Sequence, residues 1–351
     1  MGKKFLLPLF LIIFLLSGCG SSSNEKNSGD TSQKETATNA QSENNSSGTN
    51  ENATATDKKF KSDLKITMLN VGQGDSFLIQ TSTQNILIDT SDVDERTKLV
   101  SELDKAGVNE LDKIILTHPH ADHIGGVEKL LKDKKFSVKE VFDNGIASTS
   151  KLYLNYMTAI KENNVKHSTL KAGDTLNFGG NVKFEVLFPD TNLVDAVNGG
   201  KQKTDPNNES IVGRLHYKNF TMMFTGDAEL KVESAIWQDN KEKALKSTIL
   251  KAGHHGSHSS SSENFVRVVN PEYVLISAGE PTTKRGGNTY GHPHVEPLET
   301  YLSQGIDSKN ILWSWKNGTV VIETDGNNFS VTPEVKGDWV KAWIKEKKSQ
   351  K

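Results

Sequence analysis

The stretch Thr117-His118-Pro119-His120-Ala121-Asp122-His123 is the strongest structural signal in this sequence. It places three histidines and a carboxylate within six residues, directly after the apolar run 113–116 that predicts a strand. Imidazole and carboxylate groups together suit zinc, manganese or iron. Because the chain has only ten histidines, chance would rarely give a polar surface loop this clustering. The stretch therefore predicts a metal-binding loop at the end of a strand.

The segments around this loop predict layers of sheets and helices. Short apolar or alternating runs, separated by Gly-rich and polar turns, are typical of strands, and the run 95–106 has helical spacing that Gly107 ends. The C-terminal runs 311–315 and 319–323 flank Asn317-Gly318, which predicts a hairpin. Strands come in series and then alternate with helices, twice along the chain. This order predicts an α/β fold with two sheets face to face and helices outside, a four-layer αβ/βα sandwich.

The first residues predict a protein attached to a membrane. Lys3 and Lys4 precede the apolar run 5–16, which is shorter than the ~20 residues of a transmembrane helix. Residues 16–19 have the sequence LSGC, which resembles a lipobox, so we expect a lipoprotein signal peptide over 1–18 and lipidation of Cys19, the only cysteine. An ordinary signal peptide with a stray cysteine is the alternative. The expected location is the extracytoplasmic face of the cell membrane, with membrane lipid as a partner.

Composition divides the rest of the chain into parts. Residues 20–59 contain no Leu, Ile, Val, Met or aromatic residue, so 19–62 is expected to be a disordered Ser/Asn-rich tether. The folded domain is expected over 63–332. The basic tail 333–351 carries Trp339 and Trp343, and it predicts either a helix packed on the domain or an amphipathic helix at a membrane surface. The net charge of -2 argues against a broad electrostatic nucleic-acid binder, and the sequence indicates no oligomeric state.

The expected lipid anchor is tested by the substitution Cys19→Ala. Because Cys19 ends the predicted signal and carries the only thiol, the variant should be released from the membrane or should stay unprocessed. Membrane fractionation followed by mass determination checks this expectation. A Cys19→Ala protein that stays in the membrane fraction with the mature mass of the parent contradicts lipidation at this residue.

The HxHxDH pattern of 118–123 resembles the metal signature of the metallo-β-lactamase superfamily. Between about residues 64 and 331, the chain is also similar to the hydrolase domain of the ComEC/Rec2 competence proteins. The stretches that carry this resemblance are Asn70-Val71-Gly72-Gln73-Gly74-Asp75-Ser76, LTHPHADHIGG, Asn208-Glu209-Ser210, FTGD, LKAGHHGS and Tyr290-Gly291-His292-Pro293. One departure is Asp89-Thr90-Ser91, which stands where Asp-x-Gly is usual. The resemblance does not extend to the membrane helices and DNA channel of those proteins.

The resemblance implies two divalent metal ions, zinc or manganese, held by one shared set of ligands. The implied ligands are His118, His120, Asp122, His123, Asp227 and His254. The two histidines of the HxH part would hold the first ion, the adjoining Asp-His pair would hold the second, and Asp227 would bridge the two. His254 is preferred as the last ligand because it comes first after the predicted strand 248–251, and His255 remains the alternative.

Further residues are implied to support the site. Asp89 would brace the histidine loop. Asn208 occupies the place of a histidine that many superfamily members use, so the first metal site is expected to be weak. His167 and His216 also lie in this interval and are expected to be structural or exposed. The remaining candidates for contact with metal or substrate are Asn208, His255 and Ser257.

The candidate catalytic residues are Asp122 and His292, for a hydrolysis in which metal lowers the pKa of bound water towards ~7. The resemblance implies a metal-dependent phosphodiesterase, and in particular a nuclease that acts on DNA. His292, within Gly-His-Pro, would be a general acid or a phosphate contact, and an ordinary loop histidine is the alternative. A hydrolase of a cell-wall phosphodiester such as teichoic-acid phosphocholine, and a non-enzymatic metal-dependent binding protein, are the alternative functions. Residues 71–76 lack the lysine of a phosphate-binding loop, so no nucleotide cofactor is expected.

Overall fold

The computed structural model describes residues 54–55, 60–239 and 242–350. The predicted signal peptide 1–18, Cys19 and most of the tether 19–62 lie outside these residues. Within the described ranges, no helix is both long enough and apolar enough to cross a membrane.

The strands of the described residues form two mixed sheets. In chain order they are β1 (Thr54–Ala55), β2 (Leu64–Met68), β3 (Phe77–Gln80), β4 (Asn85–Ile88), β5 (Glu110–Ile115), β6 (Ser137–Asp143), β7 (Lys166–Thr169), β8 (Thr175–Asn177), β9 (Lys183–Phe188), β10 (Val212–Tyr217), β11 (Phe220–Phe224), β12 (Ile249–Lys251), β13 (Tyr273–Ile276), β14 (Ile311–Trp313), β15 (Val320–Thr324) and β16 (Asn328–Pro333). The first sheet has the order β1-β16-β15-β2-β3-β4-β5-β6-β7. The second sheet has the order β14-β13-β12-β11-β10-β9-β8.

Helices connect the strands and cover the sheets. They are α1 (Arg96–Lys105), α2 (Ala121–Ile124), α3 (Val127–Lys132), α4 (Lys151–Glu162), α5 (Thr191–Asn198), α6 (Leu230–Asp239), α7 (Glu242–Leu245), α8 (Glu263–Val269), α9 (Val295–Ser303), α10 (Ser314–Asn317) and α11 (Val340–Ser349). The predicted helix 95–106 corresponds to α1, and Gly107, with φ of +69°, follows it in the left-handed conformation that ends helices.

Alternation along the strands sends side chains to different layers of the core. Successive residues on a strand point to opposite faces of the sheet. Ile86 therefore lies between the two sheets, where it shares a core with Phe224 of β11. Its neighbour Leu87 points outward with Ile114, into a core formed with α1, α3 and α4. The outer face of the second sheet packs in the same way against α6, α8, α9 and α11. The result is the predicted four-layer αβ/βα sandwich.

The predicted hairpin around Asn317-Gly318 is wrong. β14 pairs with β13 in the second sheet, whereas β15 pairs with β2 in the first sheet. Asn317 Oδ1 accepts hydrogen bonds from Trp313 N at 2.9 Å and from Trp339 Nε1 at 3.0 Å. These bonds hold Asn317 at the end of α10, and Gly318, with φ of +67°, begins the crossing to the other sheet. The Asn-Gly pair therefore ends a helical turn instead of forming a two-residue strand connection.

The basic tail is a helix packed on the domain. α11 buries Val340 and Trp343 in the core outside the second sheet. The Trp343 ring lies 5.1 Å from the ring of Trp313, and its Nε1 donates a 3.0 Å hydrogen bond to the Pro293 carbonyl oxygen. The packed terminal helix is therefore the alternative that the structure supports, and the folded domain continues beyond residue 332 through α11.

Candidate metal centre

The predicted ligands lie where strands of both sheets end. In the first sheet, β5 leads into the histidine loop, and its parallel neighbour β4 ends next to Asp89. In the second sheet, β11 ends before Asp227, and its parallel neighbour β12 ends before His254 and His255. Parallel neighbours have their carboxyl ends at the same edge, which is where open α/β sheets commonly bind ligands. Segments that are distant in sequence therefore meet at one place.

Two groups of ligand atoms at this place can each hold a metal ion. One group is His118, His120 and Asp227, and the other is Asp122, His123 and His255. Within each group, the ligand atoms lie within 4.8 Å of one another. The structure therefore brings together the four metal-ligand candidates of the histidine loop and Asp227.

Asp227 belongs to the first group and also lies next to the histidines of the second group. Its Oδ2 is 3.2 Å from His123 Nε2, 3.4 Å from His255 Nε2 and 3.8 Å from His118 Nε2. Burial alone would raise the pKa of the Asp227 carboxyl, but His123 and His255 hold it well below its usual range. With His254 Nε2 also at 3.8 Å, a single ionised oxygen lies among four imidazole nitrogens, an arrangement that suits a bridging ligand.

Each buried imidazole of the site is fixed through Nδ1, which leaves Nε2 facing Asp227. The Nδ1 of His123 contacts Asp89 Oδ2 at 2.8 Å, and the Nδ1 of His255 contacts the Ser277 carbonyl oxygen at 2.7 Å. The Nδ1 of His118 lies 3.2 Å from Ser210 Oγ and 3.2 Å from Thr117 Oγ1. Partners of this kind orient metal-binding histidines and set which ring nitrogen is free.

Asp89 has the contacts that the predicted bracing role requires. Its Oδ1 accepts a 2.7 Å hydrogen bond from the Thr117 amide, and its Oδ2 accepts a 2.8 Å bond from the Thr117 hydroxyl. Together with the bond to His123, these contacts join the start and the end of the histidine loop. Asp89 and Ser91 both have positive φ, +59° and +62°, so this turn forms without the usual glycine of the Asp-x-Gly pattern.

Of the two candidates for the last ligand, His255 lies in the second ligand group, and His254 stays a prediction. His255 is buried and belongs to the second ligand group, with its Nε2 3.2 Å from Asp122 Oδ2. The side chain of His254 is 22% exposed, and its Nδ1 contacts Glu229 Oε1 at 3.1 Å instead. Both histidines have positive φ, +44° and +55°, so the alternation of β12 does not continue into this loop. The Nε2 of His254 still lies 3.8 Å from Asp227 Oδ2, so His254 borders the shared carboxylate, while His255 belongs to the second ligand group.

The other candidates lie around the centre or away from it. His167 contacts Asp143 at 2.8 Å and His216 contacts Glu185 at 3.2 Å, so both are occupied elsewhere in the fold. Asn208 Nδ2 donates to Asp205 Oδ2 at 2.9 Å and to Glu229 Oε2 at 3.0 Å. Ser257 Oγ lies 3.0 Å from the hydroxyl of Ser259. The contacts proposed from Asn208 and Ser257 to metal or substrate stay predictions.

Sequence reasoning missed Asp75 and Lys251. Lys251 is fully buried in β12, with its Nζ 2.5 Å from Asp75 Oδ2, 2.7 Å from the Gly226 carbonyl oxygen and 3.8 Å from Asp227 Oδ1. Burial alone would lower the pKa of Lys251, but Asp75 and Asp227 raise it above its usual value. The lysine in an otherwise apolar strand is the signal that could have revealed a buried carboxylate partner. Burying an unpaired charge is very unfavourable, so a buried lysine needs such a partner.

The Gly-rich stretch 70–76 carries Asp75 into the centre. A side chain at Gly74, where φ is +105°, would place its β carbon 2.2 Å from the Asp122 carbonyl oxygen. Glycine at this position therefore lets the stretch lie directly against the histidine loop. The Asp75 amide then donates a 3.0 Å hydrogen bond to that same carbonyl oxygen.

The residues present fit a pair of divalent cations. Four carboxylates converge on the centre, and Lys251 is the buried lysine that faces them in the described residues. The carboxylates are Asp75, Asp89, Asp122 and Asp227. His123 Nε2, His255 Nε2, Asp75 Oδ1 and Asp227 Oδ1 are buried without a hydrogen-bond partner. Buried polar atoms normally have hydrogen-bond partners, so a cluster of unpartnered imidazole and carboxylate atoms indicates a set of metal ligands.

His292 lies at the edge of the centre. It is buried, with its ring 5.3 Å from the ring of His254 and 6.0 Å from that of His255. Asn288 holds its backbone, because Asn288 Oδ1 accepts from the His292 amide at 3.0 Å and Asn288 Nδ2 donates to the His292 carbonyl oxygen at 2.5 Å. Burial and the neighbouring histidines lower the pKa of His292 to about 2, so its imidazole is neutral. His292 Nδ1 is buried without a partner.

Comparison with known proteins is consistent with this architecture. Residues 69–280 match the family model described as "Metallo-beta-lactamase superfamily". The chain is 31% identical over 292 residues to ComE operon protein 3 of Bacillus subtilis, covering 78% of this chain and 35% of that protein. It is 30% identical over 248 residues to competence protein ComA of Neisseria gonorrhoeae, covering 70% of this chain and 30% of that protein. The chain thus spans about a third of the length of these relatives.

A solved structure with a similar fold is the metallo-beta-lactamase fold protein YhfI from Bacillus subtilis. Its TM-score is 0.46 and its sequence identity is 12%. The similarity covers 73% of this chain and 98% of that chain.

Proposed function

This chain belongs to the metallo-β-lactamase superfamily, and we propose that it is a metal-dependent phosphodiesterase that cleaves DNA. The family match and the ligand groups indicate a hydrolase of the metallo-β-lactamase fold with His/Asp metal-binding clusters. The observation that carries the proposal is Asp227 Oδ2, which lies among the imidazole nitrogens of both groups. Two ions held about one shared carboxylate suit the in-line displacement at phosphorus.

The choice of DNA as substrate is supported by the relatives. One of the two relatives of 30% identity or more described above is named a competence protein, and the two matches cover 70% or more of this chain. The stretches 70–76, 208–210 and 290–293, which carry the resemblance to competence proteins, all lie at the centre or beside it. The chain spans about a third of those relatives, so they support the chemistry proposed for this domain and not the activity of a whole competence protein.

Divalent ions held by these ligands would lower the pKa of a water molecule towards ~7 and would stabilise charge on a phosphoryl oxygen. The protein fixes the ligands in advance, since Asp89 and Ser277 hold two of the imidazoles through Nδ1. Asp122 is the most exposed of the four carboxylates, with 22% of its side chain accessible. Gln73 Nε2 orients it through a 3.3 Å hydrogen bond. Asp122 is therefore placed to accept a hydrogen bond from the attacking water.

The proposed function is tested with the purified full chain supplied with manganese or zinc. The substrates are single-stranded DNA, double-stranded DNA, RNA, bis-p-nitrophenyl phosphate and a phosphocholine ester. We expect hydrolysis of DNA and of bis-p-nitrophenyl phosphate, and we expect a chelator to stop both. A metal-loaded protein that hydrolyses the phosphocholine ester and leaves DNA intact would point to a cell-wall substrate. One that hydrolyses no phosphodiester would overturn the proposal.

His292→Ala should lower kcat for DNA by about a hundredfold, the order of magnitude for losing one hydrogen-bond donor to charge that develops in the transition state. We propose that the neutral imidazole donates a hydrogen bond to the oxygen of the leaving group. The loss should therefore be large for a nucleoside alkoxide and small for p-nitrophenolate, which departs without help. Metal content, measured by elemental analysis, should equal that of the parent. An equal loss for both leaving groups would instead place His292 on a non-bridging phosphoryl oxygen, and no loss would make it a structural loop residue.

A further inference from the structure

An exposed aromatic side chain lies next to the buried His292. Tyr290 has 73% of its surface accessible. It directly precedes the Gly-His-Pro stretch that carries His292. Its ring lies 5.7 Å from the His292 ring at an interplanar angle of 17°. The His292 ring in turn stacks on His255 at 6.0 Å and 23°. Tyr290, His292 and His255 thus form a column of nearly parallel rings from the solvent to the metal ligands.

Two contacts of the loop hold the backbone that carries the Tyr290 and His292 rings. The Tyr290 carbonyl oxygen contacts His294 Nε2 at 3.1 Å, and two residues further on Asn288 Oδ1 accepts from the His292 amide at 3.0 Å. The Tyr290 ring is nearly parallel to the His292 ring, and most of its surface is exposed. A singly exposed aromatic residue is ordinary on a protein surface, but this one stacks on a histidine that adjoins the metal ligands, where a bound substrate would reach it.

We infer that Tyr290 is a stacking platform for a nucleobase of the substrate. This inference rests on the proposed function and names a single-stranded nucleic acid as the substrate class. Every base has a flat π surface, and stacking on an aromatic side chain is the usual way in which proteins bind single strands without reading their sequence. In a duplex the bases are already stacked on one another, so their faces are not available to Tyr290.

The charges of the same loop favour a nucleic acid over a choline ester. Lys284 and Arg285 are exposed in the segment 280–290 that ends at Tyr290, and with the exposed Glu280 at its start the segment carries a net charge of about +1. Their positive charge attracts a phosphate backbone and repels a quaternary ammonium group. Choline recognition uses a cage of several aromatic faces, whereas in the described residues the ring that stacks on Tyr290 is the His292 imidazole.

The proposed stacking by Tyr290 is tested by measuring binding under conditions in which the substrate is not cleaved. Binding is followed by fluorescence anisotropy with calcium in place of manganese, using a single-stranded oligonucleotide and an abasic oligonucleotide of equal length. Tyr290→Leu removes the ring and keeps an apolar side chain, and Tyr290→Phe keeps the ring. Val335→Ala is the matched control, because Val335 is also an exposed apolar residue, at 53%. Circular dichroism checks that each variant is folded.

We expect Tyr290→Leu to raise Kd for the intact oligonucleotide about tenfold, and Kd for the abasic one less than threefold. Tyr290→Phe should keep most of the affinity. An equal effect of Tyr290→Leu on both oligonucleotides, or none on either, would overturn the platform. A tenfold loss confined to hydrolysis of a phosphocholine ester would overturn it in favour of choline. A parent that binds DNA through Tyr290 but does not cleave it would support the platform and refute the proposed nuclease activity.

Discussion

Asp227→Ala is expected to remove both metal ions and to lower the rate of hydrolysis by a factor of about a thousand or more. Asp227 Oδ2 lies within 3.8 Å of imidazole nitrogens from both ligand groups, so its loss opens both groups at once. It also leaves Asp122 as the one carboxylate next to the Nε2 atoms of both His123 and His255 in the described residues. Elemental analysis after gel filtration, together with the rate on bis-p-nitrophenyl phosphate, measures the two effects.

Two comparison variants make this result specific. His118→Ala removes a ligand from the first group alone, so it should retain more metal than Asp227→Ala. His216→Ala removes a histidine that contacts Glu185 away from the centre, and it should keep the metal content of the parent. If Asp227→Ala and the parent bind equal amounts of metal, the bridging role is wrong. If His216→Ala loses metal, a ligand has been overlooked.

Lys251→Met is expected to lower the free energy of unfolding of the metal-free protein by about 3–5 kcal/mol. The lysine ammonium is the positive partner of Asp75 at 2.5 Å, and it also faces Asp227 at 3.8 Å. Methionine fills much of the same space but removes the ammonium partner of Asp75, a buried carboxylate, while Asp227 keeps His123 and His255 as partners. At about 2–4 °C per kcal/mol, the melting temperature should fall by roughly 10 °C.

A double variant and a surface control separate the ion pair from simple packing. Asp75→Asn in the Lys251→Met background removes the charge that lost its ammonium partner, so the double variant should be more stable than the sum of the two single effects predicts. Lys98→Met breaks an exposed pair with Glu95 and should change stability by less than about 0.5 kcal/mol. Strict additivity of Lys251→Met and Asp75→Asn would show that the two side chains do not stabilise each other.

The sequence predicted the parts of the centre that are contiguous. The histidine loop follows an apolar strand directly, so its residue pattern predicted a metal-binding loop, whereas Asp227 was predicted from the resemblance to the family. Asp75 was not predicted because an aspartate within a Gly-rich stretch has the same sequence signature as an ordinary turn. Its role depends on the approach of Gly74 to the backbone of Asp122, which joins residues 48 positions apart.

Two predictions depended on the backbone conformation that follows a strand. The choice between His254 and His255 extended the register of β12 into a loop where both residues have positive φ. The predicted hairpin assigned a strand connection to Asn317-Gly318, but the contacts of Asn317 with Trp313 and Trp339 decide the conformation there. Trp339 is 22 positions from Asn317, so a window of local sequence does not contain the deciding interaction.

The order of strands in the first sheet constrains when the protein can fold. β2, near the start of the domain, pairs with β15, so that Leu64 lies opposite Thr324. Until the last sixth of the chain has been made, β2 therefore lacks one of its two neighbours and exposes a row of unpaired amides and carbonyls. Pairing between such distant segments is slow, because loop closure must precede the contacts that stabilise it. We expect the domain to reach its native state only after β15 has been synthesised, with β2 and β3 the segments most prone to aggregation beforehand.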